Sequence, residues 1–228
     1  MKRHLPDATN AAMQLAPQFS DRFTGAGTSR TIYFLQDLTC STRVLSRGGV
    51  RHLDIGSRVD GFVAQIASSR AIDVLDFRPL NHPPTPNLRF IQGDILNPPA
   101  NFERKYDLVS SLHALEHVGL GRYGDPIAPD GFERALKNAG ALVASGGSLM
   151  ISLPVAEIER NLVQFNSQRL FSHACLAELL RRLLPDFEAT WSLVVDETRS
   201  PRQCLGDPEP LLMGFHGYGI CAVELMKK

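Results

Sequence analysis

The chain has 228 residues, 43% of them hydrophobic and 21% charged. At roughly 150 residues per domain this is one domain, or one with an extension, and it has enough apolar content for a core. Its 24 Lys and Arg balance 24 Asp and Glu, so it lacks the excess positive charge with which non-specific nucleic-acid binders displace counterions, and no nucleic-acid partner is expected. The longest apolar runs, such as Ser148 to Val155, are too short to span a bilayer. No apolar stretch follows the basic residues of MKRHLPDATN, so no secretory leader is expected. Cys40, Cys175, Cys204 and Cys221 form no CxxC pair, a usage that suits reduced thiols in a cytoplasmic protein.

Residues 1–30 are weakly patterned and read as a poorly ordered arm ahead of a domain over 31–228. From Thr31, apolar residues at Phe34, Leu35, Leu38, Val44 and Leu45 predict a helix that stops at Gly48-Gly49. VRHLDIGS reads as a buried strand meeting a turn, and GFVAQIASS as a helix with Phe62, Val63 and Ile66 inward. AIDVLDF, then NLRFIQGDI after a connection with Pro83, Pro84 and Pro86, then YDLVSSLHAL, continue as strands, with a helix or turn around Glu116. A helix over 130–145 follows the loop GLGRYGDPIAPDG, with Asp130 as N-cap and Gly146-Gly147 as its stop. SLMISLPV is the next strand. Ser172 is read as the cap of a periodic leucine helix ended by Pro185. FEATWSLVVDE and GYGICAVELM, joined without a convincing helix, read as a closing antiparallel pair at one edge. Strands alternating with helices predict a parallel sheet covered on both faces.

In such sheets ligands bind beyond the carboxyl ends of the strands, so the residues just after each strand are the informative ones. After the first strand come Asp54, Gly56 and Gly61: Gly56 allows a tight turn, and Gly61 lets the next helix start close to the sheet. After the second comes Asp76, 22 residues on from Asp54, the spacing at which an acid accepts hydrogen bonds from a ribose. After the third comes Asp94-Ile95, where a carboxylate can receive an exocyclic amine. After the fourth come His113, Glu116 and His117. These acids also suit turns and helix caps, which is the competing reading.

LDIGS, LDF, QGDI and DLVSSLHALEHVG resemble the motif series of class I S-adenosylmethionine-dependent methyltransferases. More closely, YFLQDL, HLDIGSRVDGFVA, DFRPL, FIQGDIL, LHALEHVGLGRYGDPI and LPV resemble an uncharacterised domain-of-unknown-function family classed with those enzymes, over about residues 31–228. The resemblance implies a Rossmann-like α/β fold: a mostly parallel seven-stranded sheet with helices on both faces and an antiparallel edge strand. It implies S-adenosylmethionine as cofactor and a small-molecule or glycan (sugar-like) acceptor methylated on oxygen or nitrogen. Carried over by position, the cofactor residues are Asp54, Gly56, Ser57, Arg58 and Gly61 in the first turn, Asp76 and Phe77 after the second strand, Asp94 and Ile95 after the third, and Leu112 after the fourth. One departure stands out. Arg58 and Asp60 occupy the positions where the broad superfamily prefers further glycines; they suit the cofactor's carboxylate and amine, or solvent.

Methyl transfer needs alignment above all, and a hydroxyl acceptor gains from a base with pKa near neutrality. His113 and His117 are the candidate bases, with Glu116 to orient either ring. Arg122 and Tyr123 offer a guanidinium and an aromatic platform for the acceptor, Asp125 lines its pocket or starts a turn, and Tyr33, Gln36 and Asp37 sit on a helix that lids the cofactor. His113-x-x-Glu116-His117 also spells the inverted zinc-protease pattern, but at a strand end and without an evident third ligand, so no metal is assigned. The rival from another class is a non-catalytic Rossmann-like cofactor-binding or scaffold module; a nicotinamide oxidoreductase is disfavoured because the G-x-G-x-x-G turn is missing. Whether copies associate as a homo-oligomer is left open by the sequence.

Overall fold

The computed structural model describes residues 31–48, 50–81, 85–98 and 105–228; the arm expected over residues 1–30 lies outside them, as do Gly49, Pro83 and Pro84. Helix α1 (Ile32–Leu45) is opened by Thr31, whose Oγ1 accepts from Phe34 N at 3.1 Å. Its last carbonyls, of Val44 and Leu45, and those of Arg47 and Gly48 just beyond it accept from the Arg70 guanidinium. Strand β1 (His52–Ile55) leads into a π-helical turn over Val59–Val63 and then α2 (Ala64–Ala67). Strands β2 (Ile72–Asp76), β3 (Leu88–Gln92) and β4 (Tyr106–Leu112) follow, then a 3₁₀ turn (Leu115–His117), α3 (Gly131–Leu142) and β5 (Val143–Ala156). The chain closes with a hairpin of β6 (Leu162–Gln164) and β7 (Gln168–Ser172), helix α4 (Leu176–Leu183), β8 (Phe187–Asp196), β9 (Arg202–Cys204), α5 (Glu209–Leu212) and β10 (Tyr218–Lys227).

The main sheet runs β3-β2-β1-β4-β5-β10-β8-β9, with β1 to β5 mutually parallel and β10 antiparallel to both β5 and β8. The expected seven-stranded, mostly parallel plan is therefore present, with β9 and the β6–β7 hairpin added. The antiparallel closing pair is found as well. Its last strand, β10, is inserted between β5 and β8, and the outermost position goes to the short β9. Each face carries its own core: Val44, Phe62, Ile66, Val74 and Leu108 under α1 and α2, and Ile55, Leu75, Val109, Leu136 and Leu180 under α3 and α4. Because side chains alternate along a strand, His52, Asp54 and Ser110 point into the α1/α2 side between Leu108 and Leu112, polar groups inside an apolar layer.

Three local expectations are corrected. Asp130 holds the N-cap position of α3 but makes no capping bond. Gly146-Gly147 do not stop α3, which ends at Leu142: Val143 already pairs with Tyr106, and the glycines mark an irregularity in β5, where a Cβ on Gly147 would meet Asp107 O at 2.8 Å. Ser172 does not cap the leucine helix. It lies on β7 and its Oγ donates to Ile158 O at 2.6 Å, leaving Cys175 at the N-cap of α4. All four cysteines are free. Among the described residues no helix is long and apolar enough to cross a membrane.

Candidate active site

Strand order reverses at β1, with β2 on one side and β4 on the other, and a cavity of about 430 Å³ opens there at the carboxyl ends of the strands. Its floor is the turn after β1. Gly56 has φ +70° and a Cβ there would lie 2.9 Å from Ala114 Cβ, so both backbone and space call for glycine. Below the turn Asp54 is fully buried. It accepts from Ser57 N at 3.0 Å, Ser57 Oγ at 2.7 Å and Ser110 Oγ at 2.6 Å, while Ser57 Oγ accepts from Leu112 N at 2.8 Å. Burial pushes the Asp54 carboxyl up to about 6 against the pull of these bonds. Asp54 thus clasps the turn to β4 and does not line the cavity, which corrects its expected place among the cofactor contacts.

Ser57 and Arg58 line the cavity; Asp60 does not, and Arg58 grips it on the exposed surface at 2.7 and 3.0 Å. Gly61, also expected at the cofactor, has a different neighbour: a Cβ there would run into Asp37 Oδ2, so the glycine makes room for a carboxylate from α1.

Asp76, Phe77, Asp94 and Ile95 come together at one end of the cavity. Both oxygens of Asp76 are engaged by Arg78, Nε to Oδ1 at 2.9 Å and Nη2 to Oδ2 at 2.6 Å. Asp94 also shapes its own turn, accepting from Leu96 N at 2.8 Å, and Asn138 of α3 donates to Ile95 O at 2.9 Å. Leu112 and His113 line the cavity from the end of β4, on the other side of β1. His113 adopts φ +51°, unusual for a non-glycine residue, with its N–H bonded to Ser152 O at 3.1 Å.

The side chain of His113 places Nδ1 3.0 Å from Glu116 Oε1 and leaves Nε2 without a hydrogen-bond partner. Glu116 is fully buried below the cavity, and neither carboxylate oxygen makes an aligned hydrogen bond. His117 Nε2 lies 3.6 Å from the same Oε1. His117 Nδ1 is 2.8 Å from Ser167 O and 3.2 Å from Arg122 Nη1. Burial, above all, holds His117 below the usual histidine range. The Tyr33 ring meets His113 edge-on at 4.9 Å, and the Tyr218 hydroxyl, its pKa pushed up by burial, bonds with Tyr33 and Gln168.

The opposite wall is cationic and aromatic: Tyr123 lies under Arg78 at 4.6 Å and Arg122 at 5.1 Å. Asp125 builds this loop by accepting from the N–H groups of Gly119 and Tyr123 at 2.8 and 3.1 Å. Sequence reasoning missed Arg78, Ser167, Gln168 and Tyr218. Only Arg78 carried a signal, as the cation two residues after Asp76. Among the described residues no group of three His, Cys, Asp or Glu side chains is arranged to hold a metal.

The model of the family described as "Caenorhabditis protein of unknown function, DUF268" matches residues 90–198, just under half of the chain. No curated protein matches the sequence. Among solved structures, the chain is similar to the Burkholderia thailandensis 1,6-didemethyltoxoflavin-N1-methyltransferase with bound S-adenosylhomocysteine, at TM-score 0.57 and 18% identity over 85% of this chain and 77% of that one. It is similar to the [4+2]-cyclase SpnF at TM-score 0.58 and 16% identity, over 84% and 80%. It is also similar to the N-methyltransferase NodS of Bradyrhizobium japonicum WM9 with S-adenosylhomocysteine, at 0.50 and 16%, over 84% and 86%. At such identities the likeness shows the fold alone, and that fold is the one class I methyltransferases share.

Proposed function

We propose that the protein is an S-adenosylmethionine-dependent methyltransferase acting on an oxygen or nitrogen of a small-molecule or glycan (sugar-like) acceptor. The single observation that carries the reading is His113, which lines the same cavity as Asp76 and Asp94 and has a ring Nε2 with no hydrogen-bond partner. The fold by itself does not assign methyl transfer, because a cyclase shares it.

The residues present suit the cofactor. The Gly56 turn leaves backbone at the cavity floor where a side chain would not fit. The cavity volume falls in the range of small-molecule pockets. Asp76 and Asp94 would hold the adenosine, with Phe77 and Ile95 as its apolar walls. When bound, S-adenosylmethionine would supply an electrophilic methyl and be left as S-adenosylhomocysteine, and His113 would take the acceptor's proton. His113 is the base, and Glu116, 3.0 Å from Nδ1, orients the ring. Tyr123, Arg122 and Arg78 supply a stacking surface and guanidinium donors for the acceptor.

Binding titrations with S-adenosylmethionine, S-adenosylhomocysteine and NAD in parallel test this reading. Binding of the first two and not the third is expected, followed by transfer of labelled methyl to members of a panel of sugars and small amines. Preference for NAD, or binding of none, overturns it; binding without transfer to any acceptor favours the non-catalytic module.

A further inference from the structure

A cofactor with an amino-acid tail brings an ammonium into the cavity, and the acids of the β1 turn are already engaged. Asp54 is buried and accepts from Ser57 and Ser110. Asp60 points to solvent, paired with Arg58. The carboxylate that faces the cavity at this end is Asp37 of α1.

Asp37 is held in place from the sheet. Gln36 Nε2 donates to Asp37 Oδ1 at 2.9 Å, and buried Gln36 in turn accepts from Ser152 Oγ of β5. The Phe62 N–H also donates to Asp37, and Gly61 clears the space that Oδ2 occupies. A carboxylate has about four acceptor sites, so these donors leave room for another. Among the described residues no Lys or Arg forms an ion pair with Asp37; Arg58, paired with Asp60, and His113 act on it only at longer range. Burial raises its carboxyl above the usual range, the setting in which an arriving cation is most welcome.

We infer that Asp37 receives the ammonium of the cofactor's amino-acid tail, while Asp76 and Asp94 hold the nucleoside end. The inference rests on the reading given under Proposed function.

The test pairs Asp37→Asn, which keeps the shape and one oxygen acceptor, with S-adenosylhomocysteine and its deaminated analogue, measured by calorimetry on the full chain. In the unchanged protein, deamination should weaken binding roughly ten- to a hundred-fold, the scale of a charge-assisted hydrogen bond. In Asp37→Asn the two ligands should bind alike, both near the affinity of the unchanged protein for the analogue. An unchanged protein that binds both ligands equally overturns the inference without recourse to the variant, and so does a variant that still discriminates between them. An unchanged protein that binds neither ligand overturns the cofactor reading itself.

Discussion

Ser110 Oγ on β4 donates to Asp54 Oδ2 on β1 across 2.6 Å, and His52 Nε2 stands 2.8 Å from the same hydroxyl. With its proton committed to Asp54, the hydroxyl can only accept from His52, which fixes that ring as the Nε2–H tautomer. Burial holds His52 neutral, its pKa lowered to about 3. Three polar groups thereby share one network inside the α1/α2 layer, directly beneath the Gly56 turn.

The network has a pH signature. Asp54 titrates at about 6 in the fold against 3.8 ordinarily. Between those values the folded chain keeps a proton that the unfolded chain has lost, so this group's contribution to stability falls as pH rises from 4 towards 7. His52 tilts the other way in the same window, because the unfolded ring is protonated there and the buried one is not. Asp54→Asn isolates the acid. Urea unfolding of wild type and variant at pH 4, 5, 6 and 7 should show wild type losing ground to the variant as pH rises, by up to roughly 2–3 kcal/mol in total. A flat difference across the series would mean that Asp54 stays ionised in the fold.

What the sequence disclosed, and what it hid, follows from the range of the interactions. Each strand end was legible because an apolar run stopping at Asp or Gly is a local pattern, and Gly56, Asp76 and His113 all meet at the cavity. The duty of Asp54 was not legible. It depends on register, Asp54 lying opposite Ser110 across 56 positions of chain, and no window along β1 contains that pairing. The β6–β7 hairpin was hidden for a different reason: β6 has both faces exposed, so Leu162 and Val163 break the alternation that marks a half-buried strand. Yet this hairpin brings Ser167 and Gln168 to the cavity wall.

His113 and Glu116 should act as one unit. His113→Ala is expected to lower kcat roughly 10²- to 10⁴-fold, the usual worth of a positioned base, with cofactor affinity within about twofold by calorimetry. Glu116 stands nearer the His113 ring, at 3.0 Å, than the His117 ring, at 3.6 Å, so Glu116→Gln should lower kcat and leave KM where it was. The combination then decides the role. If Glu116 only positions His113, the double variant is no slower than His113→Ala. Losses that multiply would give Glu116 a separate function.

Asp76 poses a sharper question, because Arg78 already holds both of its oxygens. Two purposes fit that geometry: a carboxylate aimed at ribose hydroxyls and steadied by the guanidinium, or an anchor for Arg78 at the cavity mouth, where it covers Tyr123. The variants separate them. A ribose-gripping Asp76 gives up roughly 1.5–3 kcal/mol of S-adenosylmethionine affinity on Asp76→Ala. Arg78→Ala, which leaves the carboxylate standing, then costs clearly less, while KM for the acceptor rises because the guanidinium over Tyr123 is gone. An anchoring Asp76 predicts the same cofactor affinity for Asp76→Ala and Arg78→Ala, since each removes the same ion pair. Calorimetry of both variants against S-adenosylmethionine should give the unequal pair, Asp76→Ala the weaker; equal affinities would take the nucleoside away from Asp76.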